Sequence, residues 1–352
     1  MTKKVYIRAA SCLSAQNTLA ADGFLTDVKE YPGTRMNAIE PDYKTYIDPK
    51  LIRRMSHVIK MGVAAAQDCL NKAEGLNPDA IITGTALGCL EDTVTFLSRI
   101  VEMNEEMLPP TAFIQSTHNT VAAQVALMLG NHGYNNTFVH KGVSFENALI
   151  DALMLINEGE VNSVLAGGLD ELTDASFTIL TRLGLYKRKP ISNLKLYDEQ
   201  SKGSIAGEGA AFFLLSDQAS PKNMAELKAV KTFYNAADSA AIEDQITKFL
   251  SSRNMAISDI DLVITGKNGD IKNDAVYEAL DILNDQPKAV YKHLSGEYPT
   301  STGFALWLAA NCIQRQEVPA VVSKTRVQQP KNILIYNHYQ NFYHSLFLVS
   351  AC

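Results

Sequence analysis

No stretch of the chain approaches the ~20 consecutive apolar residues that a membrane helix needs, so no membrane span is expected. Cysteines at metal-ligand spacing are missing: Cys12, Cys69, Cys89, Cys312 and Cys352 are scattered. An odd number in 352 residues suits a reducing compartment better than a disulfide framework, and neither a metal nor another cofactor is expected. The first residues, MTKKVYIRAASC, lack the uninterrupted apolar core of a secretion signal, so a cytoplasmic location is expected. Excess positive charge is absent as well. A net charge of -6 argues against nucleic acid and anionic membrane surfaces as partners. No GxGxxG follows the first strand, so a dinucleotide fold lacks its signature.

What is present reads as an ordinary soluble chain, 46 % apolar and 20 % charged. Strands are expected at Val5–Ala10, Ala80–Gly84, Asn136–His140, Ser163–Ala166 and Ile205–Leu215, with helices at Leu51–Lys72, Glu91–Glu105, from Thr117, and at Phe145–Asn157. Asp174–Gln200 is polar and mixed, which suggests a surface excursion or lid. Ser216–Asn223 is the best linker candidate. Beyond it the style repeats, with strands at Glu226–Thr232, Ile260–Thr265, Ala289–Tyr291, Ile333–Tyr336 and His344–Val349. Helices are expected at Ala241–Arg253, Ala275–Ile282 and Thr300–Gln314. The expectation is an α/β fold of two similar halves, 1–217 and 218–352, with mixed sheets and layered helices.

The most informative stretch runs from Tyr134 to Glu171. It reads as strand, tight turn, amphipathic helix, second strand and a Gly167-Gly168 stop. Such a turn can mount a nucleophile over the positive end of a helix. Here it holds His140, Lys141, Gly142, Val143 and Ser144, and no cysteine.

Four segments in order carry a resemblance: GCLED (Gly88 to Asp92), HNTVAAQVAL (His118 to Leu127), VLAGGLDE (Val164 to Glu171) and SKGSIAGEGAAFFLL (Ser201 to Leu215). Each is weak alone; their order and spacing resemble a β-ketoacyl-ACP synthase of the thiolase superfamily. The resemblance implies a thiolase-like fold. It also implies a cysteine nucleophile that takes an acyl group from acyl carrier protein, two histidines, a lysine and a Gly-Phe-Gly-Gly loop. Counting back from Ala166-Gly167-Gly168 puts the nucleophile position at Gly142. The first histidine position falls at Gly266, in VITGKNGD, and the second at Glu297, in KHLSGE. The lysine is kept as Lys292. Asn337–Asn341, NHYQN, stands where the glycine loop belongs.

A glycine forms no thioester, and Gly266 has no side chain to donate a proton. Glu297 has the wrong sign for a developing enolate unless protonated. The resemblance therefore points to a noncatalytic, chain-length-factor-like subunit, although such subunits are familiar with glutamine at the nucleophile position. The partners it implies are an active synthase subunit and acyl carrier protein, in a heterodimer, with a homodimer as the alternative. The partner would use the helix after His118 and the strand leading to His140.

Two rival readings stay open: an acyltransferase or thioester hydrolase with relocated residues, and a homodimeric acyl-binding protein. Ser144 is the nearest nucleophilic side chain, but KGVSF does not fit an esterase elbow, and helix capping explains it more simply. Cys89 reads more simply as a small buried thiol. His118 reads as structural, and Glu208 as an acceptor for backbone N–H groups. His293 is expected on a strand, pointing away from Lys292. Lys292 and Glu297 are expected to form an ion pair, and the NHYQNFYH segment to plug the channel.

Overall fold

The computed structural model describes residues 3–19, 24–199 and 201–352. Ten strands form one sheet. In chain order they are β1 (Tyr6–Leu13), β2 (Ala80–Gly84), β3 (Asn135–Phe138), β4 (Ser163–Asp170) and β5 (Gly209–Ser216). These are followed by β6 (Ala225–Tyr234), β7 (Leu262–Thr265), β8 (Lys288–Val290), β9 (Asn332–Tyr339) and β10 (Tyr343–Ser350). Across the sheet the order is β8-β7-β9-β10-β6-β1-β5-β4-β2-β3. Outward from the β1–β6 junction, the order of the first five strands matches that of the last five. That junction is narrow: β1 pairs with β6 at Tyr6↔Glu226 and Ile7↔Ala225.

The helices are α1 (His57–Lys72), α2 (Leu90–Glu102), α3 (Thr120–Leu129), α4 (Ser144–Glu158) and α5 (Asp174–Arg182). They continue as α6 (Ser239–Ser251), α7 (Ile271–Glu278), α8 (Lys292–Ser295) and α9 (Thr302–Arg315). Strand alternation sorts the sheet residues into cores. Ala80, Ile82, Val164, Phe213, Ile264 and Phe347 face α4 and α9 in one cluster. Their neighbours Ile81, Leu165 and Phe212 face α1. Val263, Leu334 and Leu348 face α6 and α7. The helices α4 and α9 therefore form a shared central layer. All of α9 from Thr302 to Ile313 is buried, so its sequence TGFALWLAANCI is apolar or small nearly all round.

Several expectations need correction. Gly167 and Gly168 do not stop β4, which runs on to Asp170. They are clearances: a Cβ at 167 would lie 2.7 Å from Cζ of Phe212, and one at 168 would lie 2.8 Å from the Phe145 ring. The segment from Asp174 is not a loose excursion. Thr173 and Ser176 form a capping box that starts α5. Further on, Ile191–Ser192 pairs with Pro32–Gly33, and buried Lys187 donates from Nζ to Ser201 Oγ and the Gly269 carbonyl. Gln200, its expected end, lies outside the described residues. The helix expected over Leu51–Lys72 is broken. A one-turn helix, Pro49–Ile52, is capped by Asp48, and α1 begins afresh at His57. Lys292 and His293 lie on the single turn of α8, not on a strand, and both are buried.

A seam of filled positions

β3 ends at Phe138, and the chain turns through His140 into a 3-10 turn, Lys141–Val143, before α4. Lys141 adopts φ +47°, a sparsely populated conformation for a residue with a Cβ. Gly142 is buried at the centre of this turn. A Cβ there would stand 2.9 Å from Cδ1 of Tyr339 and closer still to its Cβ and Cγ. Tyr339, at the end of β9, occupies the space that a side chain at 142 would use. Within NHYQNFYH, Tyr339 is the residue whose side chain takes this space.

Gly266 follows β7. A Cβ there would stand 2.6 Å from the Tyr277 hydroxyl and closer to Asn337 Oδ1. Lys292 and Glu297 do meet: Nζ donates to the two carboxylate oxygens at 2.9 and 2.7 Å, and both side chains are buried. Asn268 Nδ2 donates to Glu297 Oε2 at 2.6 Å. Tyr339 joins the parts, since it covers Gly142 and also lines a small cleft with Glu297 and Asn268. Gly142 and the Lys292–Glu297 pair thus lie on either side of Tyr339, in a seam that is filled, while Gly266 is enclosed by Asn337 and Tyr277.

Outside Tyr339 a cavity of about 360 Å³ remains. Lys141, Asp170, Tyr186, Tyr298, Tyr339 and Phe342 are among its walls. Asp170 accepts from Thr85 Oγ1, the N–H groups of Ala86 and Leu87, and the N–H and hydroxyl of Thr300. Burial still lifts its carboxyl to about 6, against the pull of those donors.

The rival nucleophiles have the wrong surroundings. Ser144 Oγ accepts from His140 N–H at 2.7 Å and donates to the Lys141 carbonyl at 2.8 Å, which closes the turn. The His140 ring pairs with Asn147 instead. Burial pushes the Cys89 thiol up to about 12, with Glu171 and Asp92 adding to the effect, so it carries almost no thiolate. His293 is turned to the Val321 carbonyl, and burial lowers it to about 4, so it stays neutral. His118 packs over Gly88. Glu208 accepts from the N–H groups of Ala38 and Leu172 and also receives His57.

Glu146 was not foreseen. It lies on the first turn of α4, is fully buried, and neither carboxylate oxygen has a hydrogen-bond partner among the described residues. Burial lifts it to about 7. The hydroxyls of Thr302 and Ser345 and the charge of Lys292 pull the other way, near enough to act but not to bond directly. The signal was present in the sequence, because Glu146 shares a helical stripe with Leu149 and Ile156.

Among the described residues no group of three or more His, Cys, Asp and Glu could hold a metal, and no helix is long and apolar enough to cross a membrane. A large mixed sheet on a central helical layer defines a thiolase-like fold, the fold of the solved ketosynthases it superposes on. The sequence profile described as "Beta-ketoacyl synthase, N-terminal domain" matches residues 30–241, and the chain belongs to that family.

Among curated proteins it is similar to 3-oxoacyl-[acyl-carrier-protein] synthase 2 of Synechocystis sp., 27 % identical over 189 residues, which is 50 % of this chain and 45 % of that one. The same-named protein of Staphylococcus aureus is 20 % identical over 183 residues, covering 48 % and 44 %. The matches thus span less than half the length of these relatives. Among solved structures, the ishigamide ketosynthase/chain length factor superposes with TM-score 0.83 at 16 % identity, over 100 % of both chains. The ketosynthase ApeO in complex with its chain length factor ApeC, from Xenorhabdus doucetiae, gives 0.78 at 16 %, over 99 % and 98 %.

Proposed function

We propose that this chain is a noncatalytic, chain-length-factor-like member of its family, which supports an active β-ketoacyl synthase during polyketide, aryl-polyene or fatty-acyl elongation. The observation that carries the reading is the turn at 142. It has no side chain, and the Tyr339 ring fills the space beside it. The Lys292–Glu297 pair supports it, because that carboxylate is committed to two donors and offers no acid for a carbanion. In this reading the partner subunit supplies the cysteine and histidines and receives chains from acyl carrier protein, while this chain supplies wall and dimer surface in the cytoplasm. The halves 1–217 and 218–352 are its two structural units. The partner docks along α3 and β3, and β3, the last strand of the sheet, has one edge unpaired among the described residues.

Two of the similar structures are a ketosynthase with its chain length factor, and a further one is a type II polyketide acyl-carrier protein with its ketosynthase. Those descriptions belong to those proteins and support the reading by likeness of fold.

The test is twofold. Purified chain is incubated with malonyl- and acyl-thioester probes and its intact mass recorded; no adduct is expected. An adduct lost on Ser144→Ala or Cys89→Ala would establish the acyltransferase or hydrolase reading instead. Coexpression with a family member that has its cysteine and histidines, followed by native mass measurement, should give a 1:1 pair. A lone chain or a self-dimer under those conditions would overturn the proposal.

A further inference from the structure

A second cleft, of about 650 Å³, opens along the last turns of α1 and α9 beside β1. Its lining carries Arg8, Lys72, Lys222 and Arg315 against Asp68 and Glu74, a balance of +2 in a chain whose total is -6. The two lysines are taken. Lys72 Nζ pairs with Asp68 at 2.6 Å and donates to the Leu19 carbonyl at 2.9 Å, and Lys222 pairs with Glu74. The two arginines are not. Arg8 donates to the Ser220 hydroxyl, and Arg315 stands over the Phe24 ring, its guanidinium 5.3 Å from the ring centre. Among the described residues neither has a carboxylate at ion-pair distance, Asp27 and Glu317 included. Glu226, two residues beyond Met224 in the wall, is taken by Lys4. The carbonyl ends of α1 and α9 reach the cleft and offset about one unit of its charge, so it stays positive.

Asn311 adds an independent mark. It lines the cleft at 7 % exposure, its Nδ2 donates to the Trp307 carbonyl at 2.8 Å, and its Oδ1 has no partner among the described residues. A nearly buried acceptor left open in this way is suited to a donor on a ligand. The space falls within the range of about 300–1,000 Å³ that holds organic molecules, so a bare ion would leave most of it empty. Two guanidinium forks match the charge of about -2 and the three oxygens of a phosphate monoester better than the single charge of a carboxylate. We infer that this cleft binds a small organic phosphate. Arg8 and Arg315 hold the phosphate, and Asn311 Oδ1 accepts from a hydroxyl or amino group of the body. Leu19, Met224 and Trp307 wall its apolar part. The site is separate from the seam and does not rest on the partner-subunit reading.

Adenosine monophosphate, glucose 6-phosphate and glycerol 3-phosphate are titrated into the full chain by calorimetry at low salt, beside inorganic phosphate and citrate. At least one ester is expected to bind about tenfold more tightly than inorganic phosphate, through the contacts of its body, and more tightly than citrate. Arg8→Gln and Arg315→Gln should each weaken that ester about tenfold or more, as the loss of a charged donor does. Asn311→Ala should weaken the ester and leave inorganic phosphate unchanged. Arg253→Gln, outside the cleft, should change nothing, and thermal melts confirm folding. Where a glutamine variant does not fold, the lysine variant keeps the charge without the fork and should still weaken the ester. An ester that binds no better than inorganic phosphate indicates an adventitious ion only and overturns the site, as does the absence of binding. Tighter binding of citrate overturns the phosphate assignment. Binding that survives both arginine variants places the ligand elsewhere and overturns the cleft.

Discussion

The seam beneath Tyr339 and the face around α2 are inverted relative to each other. In the seam, a lysine, two glutamates and several hydroxyls lie where a core would ordinarily be apolar. On the face, valine, leucine, methionine and phenylalanine lie where solvent ordinarily meets polar groups. The seam has its space filled and most of its charge paired internally. Among the described residues the face leaves most of its apolar side chains open to solvent and its acidic groups without ion pairs. Polar groups are thus enclosed in the seam, while apolar groups are left open on the face. If the seam is structural, its groups should matter for stability and not for chemistry. If the face is for association, its groups should matter for association and not for stability.

The largest effect is expected at Lys292. Lys292→Ala strands the Glu297 carboxylate at 7 % exposure, with Asn268 as its remaining side-chain donor. Breaking a buried pair from one side costs about 3–5 kcal/mol. Lys292→Met combined with Glu297→Gln removes both charges and should recover most of the loss. Urea unfolding of the three variants measures this. A Lys292→Ala loss within the scatter of surface substitutions, about 0.5 kcal/mol, would mean the pair is not closed off from water.

That pair was legible in the sequence, because opposite charges five residues apart fall inside one motif whose spacing the chain keeps. Helix and strand order was legible too, since alternation and helical spacing are local properties. The closure of the turn was not assignable to a residue in advance. Gly142 and Tyr339 are separated by almost two hundred residues, and nothing near Gly142 announces the ring that covers it. Gly167 and Gly168 misled for the same reason. They look like a local stop, yet they exist to admit Phe212, more than forty residues on, and Phe145 from the preceding helix. The segment after Asp174 was misjudged from its polarity. Its anchors are a local capping box and one buried lysine that reaches the chain near Gly269.

Glu146 gives the next effect, and its sign can be fixed. Its folded value is raised from 4.5 to about 7. Below the lower value it is neutral in both folded and unfolded chains. Between the two, the unfolded chain has released the proton that the folded chain still holds, so stability falls as pH rises, and the loss is complete above about 7. At about 1.4 kcal/mol per pH unit the shift amounts to roughly 3 kcal/mol. Glu146→Gln should therefore gain on wild type by about that amount between acid and mildly alkaline pH. Unfolding free energies at both ends of the range test this, and all other titrating groups cancel in the difference. A constant difference across the range would show that Glu146 stays neutral throughout or is reached by water.

Restoring a cysteine sharpens the comparison at its smallest expected scale. Gly142→Cys introduces a Cβ into space held by Tyr339. Such overpacking costs about 1–3 kcal/mol, and the new thiol should be shielded. Adding Tyr339→Ala opens the cavity wall and should relieve the strain while exposing the thiol to the 360 Å³ cavity. Iodoacetamide labelling followed by peptide mapping separates this thiol from the exposed Cys352. The single variant should label slowly at 142 and the double variant quickly. Even then no condensation is expected, because Gly266 supplies no side chain and Glu297 remains bound to Lys292. Rapid labelling of the single variant would mean that Tyr339 moves aside readily, and that the turn is gated by this ring instead of filled by it.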